Sequence, residues 1–230
     1  MLLRATGKTV LQHTYEAALR ARRPELVLIA TDDDAIADEA RRFGGRVVMT
    51  SPDCPSGTDR IAEAVRNLAR AEIVVNLQGD EPEIDPAAID RLFALLENDP
   101  SAAMATLATP IRQRAQLDDP SCVKVTFDDA GRALYFSRSA IPHARKWDDQ
   151  LLAATPAVFH QHIGIYAYRR ALLMQMPQWP VGRLEQVENL EQLRVLENGQ
   201  AILVAVVAHG VRGIDTPEDY AAFVERQRAA

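Results

Sequence analysis

Two aspartates stand in settings suited to phosphate chemistry. Asp80 lies in Asn76-Leu77-Gln78-Gly79-Asp80-Glu81-Pro82, directly after the apolar run at 73–77. Asp215 lies in Gly213-Ile214-Asp215-Thr216-Pro217-Glu218-Asp219. A carboxylate at the carboxyl end of a buried strand is the usual way to hold Mg²⁺ against nucleotide phosphates. Each string also has a plainer reading. Asp80 fits a polar turn that bonds its own backbone, and Asp215-Thr216-Pro217 fits an ordinary helix start. The spacing alone does not say whether the two aspartates meet.

Four further strings carry candidate ligand groups. Ser56-Gly57-Thr58-Asp59-Arg60 sets a glycine beside hydroxyls at a helix start, where free N–H groups can face an anion or a nucleobase. An N-cap without a ligand fits it equally well, and Arg60 can serve a ligand or pair with a neighbour. Arg138 closes the strand-like run Tyr135-Phe136-Ser137-Arg138, where a guanidinium can clamp a carboxylate or phosphate. A surface arginine is the commoner case. His160, His162 and Gly164 share one face of an expected strand, with Tyr166 in line. With no acidic or thiol partner nearby, these histidines suit hydrogen bonds to a polyhydroxylated ligand better than zinc; half-exposed strand histidines are the plainer alternative. Glu191 and Gln192 flank the apolar stripe Leu190, Leu193 and Leu196, and most residues so placed are simply solvated.

The elements that would position these groups follow from periodicity. Helices are expected at 9–22, 35–43, 56–69, 86–96, 188–197 and 217–226. Strands are expected at 26–30, 46–49, 73–77, 102–108 and 201–207. This alternation predicts an α/β fold, a mostly parallel sheet with helices on both faces. The middle of the chain changes character. Runs at 123–127 and 133–136 flank Asp128-Asp129-Ala130-Gly131, a hairpin signal, and 163–168 reads as a third strand of a small antiparallel insertion. One domain over 1–230 is expected, with about 122–170 as its subdomain. The first element is a helix with no strand before it, which is unusual for a doubly wound sheet.

Composition narrows the function classes. The chain has 230 residues, 47% apolar and 25% charged, enough to bury a core without staples. Its net charge of −6 argues against a general nucleic-acid binder. Cys54 and Cys122 form no metal-binding spacing, and the run at 201–208 is far short of the ~20 apolar residues of a membrane helix. A cytoplasmic protein without a membrane partner is expected. No GxGxxG follows any strand, which disfavours a dehydrogenase.

Taken together, the strings resemble one family, the 3-deoxy-manno-octulosonate (Kdo) cytidylyltransferases. Asn76 to Pro82, Ser56 to Arg60, Leu134 to Arg138, His162 to Tyr166, Leu190 to Arg194 and Asp215 to Asp219 occur there in the same order. The resemblance implies a Rossmann-like nucleotide-diphospho-sugar transferase fold and transfer of CMP from CTP to Kdo, releasing pyrophosphate, for lipopolysaccharide synthesis. It implies Mg²⁺ on Asp80 and Asp215. It places Ser56, Gly57, Thr58 and Arg60 at the cytidine, with Gln78 assisting. It places Arg138, His162, Tyr166, Glu191 and Gln192 at Kdo, and implies a cytoplasmic homodimer with 122–170 serving sugar binding and dimerisation. The family begins with a strand and a phosphate-cradling loop that this sequence lacks, so roughly 15–20 upstream residues are expected. Two alternatives stay open: a cytidylyltransferase for another Kdo-like sugar acid, such as an amino-substituted one, and a catalytically impaired nucleotide-sugar binder.

Overall fold

A computed structural model describes residues 1–208, 210 and 213–229. The chain divides into two compact units, and Asp80 and Asp215 fall in one while Arg138, His162 and Gln192 fall in the other.

The first unit comprises Met1–Glu72, Asn76–Arg91 and Val211–Ala230. Thr9 starts α1 (Val10–Leu19) by accepting from the Gln12 N–H, and Asp33 starts α2 (Asp34–Arg42) in the same way through the Ile36 N–H. Strands β1 (Ile29–Thr31) and β2 (Val47–Met49) form a parallel two-stranded ladder. Leu11 and Tyr15 of α1 pack on Ile29 and Ala40, so the apolar stripe of the helix covers this ladder. Helix α3 (Gly57–Ala64) follows β2, and α10 (Pro217–Ala229) ends the unit.

The second unit comprises Ile73–Val75 and Leu92–Gly210 and holds the span 122–170 within it. Its sheet runs β6-β5-β7-β4-β8, with β3 (Ile73–Asn76) also paired to β7. Central β4 (Met104–Pro110) is buried along six of its seven residues and has small or apolar side chains on both faces. It pairs parallel with β8 (Ile202–Val206) and antiparallel with β7 (His160–Arg169). The hairpin β5 (Lys124–Phe127) and β6 (Ala133–Ser137) turns through Gly131 at φ 78°, and the Asp128 carboxylate accepts from the N–H groups of Ala130 and Arg132. Helix α4 (Pro86–Asn98) precedes β4. Short helices α5 (Arg114–Asp118), α6 (Gln150–Ala153) and α7 (Arg170–Gln175) fill connections that periodicity leaves blank, because four to six residues carry too little pattern.

The α/β class is as expected, but the sheet is mixed. β7 spans ten residues, rather than the expected 163–168, and runs antiparallel beside the centre of the sheet. Strand periodicity says which face a residue takes but not which way its neighbour runs. The helix expected at 188–197 is two helices, α8 (Arg183–Glu188) and α9 (Gln192–Glu197), separated at Asn189, whose φ and ψ are both 52°. The αL conformation ends a helix, and asparagine tolerates it better than other residues with a side chain. A buried ion pair then holds the two helices together: Arg194 Nε and Nη2 donate to the Glu185 carboxylate at 2.7 and 2.5 Å.

Candidate functional site

The two aspartates are brought together in the first unit. The loop after β3 carries Asp80, and the N–H of Ile214 donates to the Asp80 main-chain carbonyl at 2.9 Å. Thr216 and Asp219 cap α10 reciprocally, Thr216 Oγ1 donating to Asp219 at 2.7 Å and accepting from its N–H at 3.1 Å. The helix-start reading is therefore right for those two residues and leaves Asp215, one position ahead, exposed. Between the aspartates' fields lies Glu81. Burial, then the charges of Asp80 and Asp215, push its carboxyl up to about 7. Glu81 Oε2 is buried with no hydrogen-bond partner.

Three acidic groups bearing on one place, one of them orphaned, is an arrangement that a cation relieves. Among the described residues no three His, Cys, Asp or Glu side chains are arranged to hold a metal on their own. Mg²⁺ uses one or two carboxylates and takes its other oxygens from water and phosphate, so the test of fit rests on the two aspartates and the orphaned Glu81 oxygen. Asp80 and Asp215 are the residues that would hold it. A cavity of about 390 Å³ lies at Asp215, lined by Gly213, Asp215, Asp219, Ala222 and Arg226. Arg226 is anchored by Glu83, its Nε and Nη2 donating at 2.9 and 2.5 Å.

The Ser56–Arg60 string begins α3. Ser56 caps it by accepting from the Asp59 N–H at 3.2 Å, and its hydroxyl donates to the Asp59 carboxylate at 2.6 Å. Thr58 is buried. Arg60 donates to Thr50 Oγ1 at 2.6 Å and to Asp32 at 3.0 Å, so its guanidinium is pinned to the ends of β1 and β2. At Gly57 an added Cβ would meet nothing within 4 Å, which leaves its backbone open on that side. Gln78 is exposed on the loop that carries Asp80.

The second unit holds the other candidates. A register shift between Thr106 and Leu107 bulges β7 at Gly164 and Ile165. The bulge leaves two carbonyls for the Thr106 hydroxyl, those of Ile163 at 3.1 Å and Ile165 at 2.8 Å. Thr106 Oγ1 also lies 2.9 Å from His162 Nε2. A hydroxyl has one proton, and carbonyls only accept, so Nε2 carries the imidazole proton and Nδ1 is left as an acceptor. Burial alone pushes His162 down to about 3, so the ring is neutral at ordinary pH. Its ring lies 5.4 Å from that of Tyr166, whose hydroxyl donates to Gln192 Oε1 at 3.2 Å. Burial, then neighbouring Tyr168 and Glu191, raise the Tyr166 hydroxyl well above its ordinary value. Gln192 Nε2 is buried without a partner, a donor with nothing yet to donate to. Glu191 sits at the N-cap position of α9.

Arg138 has main-chain carbonyls on three of its donors. Nε donates to Glu188 at 2.8 Å, Nη1 to Pro120 at 3.1 Å and Nη2 to Asn189 at 3.3 Å. A guanidinium bound this way holds chain segments together, an arrangement that its place at a strand end does not foretell.

Comparison with known proteins decides the family. The cytidylyltransferase family profile matches residues 1–202. The chain belongs to that family. This cytidylyltransferase is 51% identical to the 3-deoxy-manno-octulosonate cytidylyltransferase of Rhodopirellula baltica over 227 residues, 98% of this chain and 91% of that one. It is 46% identical to the 8-amino-3,8-dideoxy-manno-octulosonate cytidylyltransferase of Shewanella sediminis, over 93% of this chain and 85% of that one. Among solved structures it is similar to a CMP:2-keto-3-deoxy-manno-octonic acid synthetase complexed with CTP. That likeness has a TM-score of 0.91 and 39% identity, covering 99% of this chain and 91% of the other. A 4-diphosphocytidyl-2C-methyl-D-erythritol synthase from Anaerococcus prevotii shares the fold alone, at TM-score 0.63 and 13% identity over 97% of this chain and 90% of that one.

Sequence reasoning passed over three polar residues of these two regions: Glu81, Lys124 and Glu188. Glu81 had a usable signal, a second acid beside Asp80. Lys124 and Glu188 had none, since each looks like a solvated charge until the chain is folded.

Proposed function

We infer that this chain transfers CMP from CTP to Kdo, giving CMP-Kdo and pyrophosphate. The observation that carries the chemistry is the meeting of Asp80 and Asp215 around an orphaned Glu81 oxygen. The substrates rest on the relatives, of which the Rhodopirellula Kdo enzyme is more similar than the Shewanella 8-amino sugar enzyme, 51% against 46%. The anomeric hydroxyl of Kdo attacks the α-phosphorus of CTP as the bond to pyrophosphate breaks. Mg²⁺ on Asp80 and Asp215 would neutralise charge on the triphosphate.

The protein's own part is positioning. Ser56, Gly57, Thr58 and Arg60 would serve the cytidine, with Gln78 assisting; the open face of Gly57 supports this. Neutral His162 would accept from a sugar hydroxyl at Nδ1, and Gln192 Nε2 would donate to the sugar acid. Tyr166 holds Gln192 in the orientation that leaves this donor free. Glu191 would accept from a further hydroxyl. Arg138 belongs to the same region, and its role there is taken up below.

A homodimer is proposed as well, supported by exposed Leu134, Val181, Leu184 and Val187 in the second unit. Among the described residues no helix is long and apolar enough to cross a membrane. The cytoplasm is proposed as the compartment because CTP, the nucleotide substrate, is found there. The test is pyrophosphate release with CTP, Kdo and Mg²⁺, using the full natural reading frame. CMP-Kdo formed in equal amount is the expected result, and CTP binding without pyrophosphate release would overturn the assignment.

A further inference from the structure

Lys124, Arg138 and Glu188 form a charged cluster in which Lys124 and Glu188 have no role above and Arg138 has only its place in the sugar-acid region. Lys124 is fully buried on β5, and its ammonium donates to the main-chain carbonyls of Asp119 at 2.9 Å and Arg138 at 2.5 Å. Burial pushes this ammonium below its ordinary value, so the site tolerates the charge at a cost. Glu188, the last residue of α8, accepts from Ser137 Oγ at 2.6 Å and from the Arg138 N–H at 2.9 Å. The main chain at Arg138 is therefore gripped from both sides, its N–H by Glu188 and its carbonyl by Lys124.

The grip is returned. The Arg138 guanidinium donates to the carbonyls of Glu188 and Asn189, the two that close α8. A cation is favoured at a helix C-terminus, where carbonyls are left without N–H partners. Residues 137–138 and 188–189 thus hold each other by side chain to main chain in both directions. Asn189 is in αL, and α9 opens at Gln192, three residues later. Leu190 and Gln192 are both buried, so the short turn between them has little freedom once its start is fixed.

We propose that Glu188 and Arg138 are positioning residues for the sugar-acid site. They fix where residues 189–192 begin, and so place Gln192 with its Oε1 on the Tyr166 hydroxyl and its Nε2 unpartnered. This rests on the reading of Gln192 as a donor to the sugar acid. Arg138 then acts on Kdo through the main chain at 188–189, and Lys124 supports it by holding the Arg138 carbonyl.

Steady-state kinetics of Glu188→Ala, Glu188→Gln, Gln192→Ala and the double variant Glu188→Ala/Gln192→Ala test this. Glu188→Ala is expected to raise KM for Kdo by about 10–100-fold, taking as the guide the loss that follows when the outer partner of a metal-binding side chain is removed. KM for CTP should stay unchanged. Glu188→Gln, which keeps one acceptor, should recover part of the loss, and it carries the test if the alanine variant melts below assay temperature. In the Gln192→Ala background, Glu188→Ala should add little, because its effect travels through Gln192. Equal rises in both KM values, no rise in either, or full additivity in the double variant would each overturn the proposal. If Gln192→Ala leaves KM for Kdo unchanged, the reading of the sugar-acid site itself fails. If Gln192→Ala raises it and neither Glu188 variant does, the positioning role alone fails.

Discussion

His162 makes the stability of this protein depend on acid in a way that can be worked out beforehand. The ring is 8% exposed, and burial alone pushes it down to about 3 from an ordinary value of 6.5. In the unfolded chain it takes a proton near its ordinary value, while in the folded chain it stays neutral. Between the two values the unfolded state binds more protons, so stability rises with pH and falls as pH drops. From about pH 7.5 to about pH 5, only the stretch below 6.5 counts, and at about 1.4 kcal/mol per unit the loss is about 2 kcal/mol. For a chain of this size that is about 4–8 °C in Tm. The assay is thermal unfolding of the natural protein and of His162→Gln at both pH values. The variant should start lower, having lost the Thr106 bond and the ring packing, but its Tm should fall less between the two conditions. The difference between the two falls should match the figure above. Equal falls would refute the reasoning, and would mean that the ring gains a proton in the folded state and finds an acceptor or solvent for it.

Three other perturbations have defined outcomes. Asp80→Asn should lower kcat by at least about 10²-fold, since charge stabilisation by a metal amounts to several kcal/mol. Its Tm should hold or rise, because one of the charges pressing on Glu81 is removed; near-natural turnover would take Asp80 out of the metal role. Arg194→Met leaves the Glu185 carboxylate, 11% exposed, without its guanidinium, and should cost about 3–5 kcal/mol by denaturant unfolding. Gly131→Ala forces a side chain to φ 78° with its Cβ 3.1 Å from the Val204 carbonyl, and should lower stability by about 1–2 kcal/mol without changing KM for either substrate.

Residue types were legible in the sequence wherever a loop follows a strand. Asp80 and Asp215 could be picked out as candidate ligands, because the end of a buried strand is where polar groups gather in α/β proteins. Their meeting could not, because it joins segments more than a hundred positions apart, where the Ile214 N–H donates to the Asp80 carbonyl. The sheet shows the same division. Burial of β4 follows from its unbroken small and apolar side chains, whereas the antiparallel partner β7 is chosen by long-range packing that leaves no local mark. Arg138 shows a third kind of limit. A strand-end arginine reads as a ligand clamp or, more commonly, a surface charge, and only the folded chain shows three main-chain carbonyls on its donors.

The break at Asn189 is where misreading a short segment has the largest functional consequence. In a continuous helix over 188–197, Glu188 and Gln192 would stand one turn apart on the same face and share one environment. The αL residue separates them. Glu188 turns to Ser137 and the Arg138 N–H at the end of β6, while Gln192 turns to Tyr166 on β7. Two neighbouring polar residues can thereby serve different strands, one as anchor and one as donor. An asparagine followed by leucine is too weak a helix stop to be read with certainty from sequence, since its cost in a helix interior is only about 0.7 kcal/mol. What tips the balance here is tertiary: the Glu185–Arg194 pair, the Arg138 guanidinium on the last carbonyls of α8, and burial of Leu190 all favour the turn over the straight helix. The arrangement of the sugar-acid site is therefore set by the same contacts that end α8, which is why substitutions at Glu188 should be felt at Kdo before they are felt at CTP.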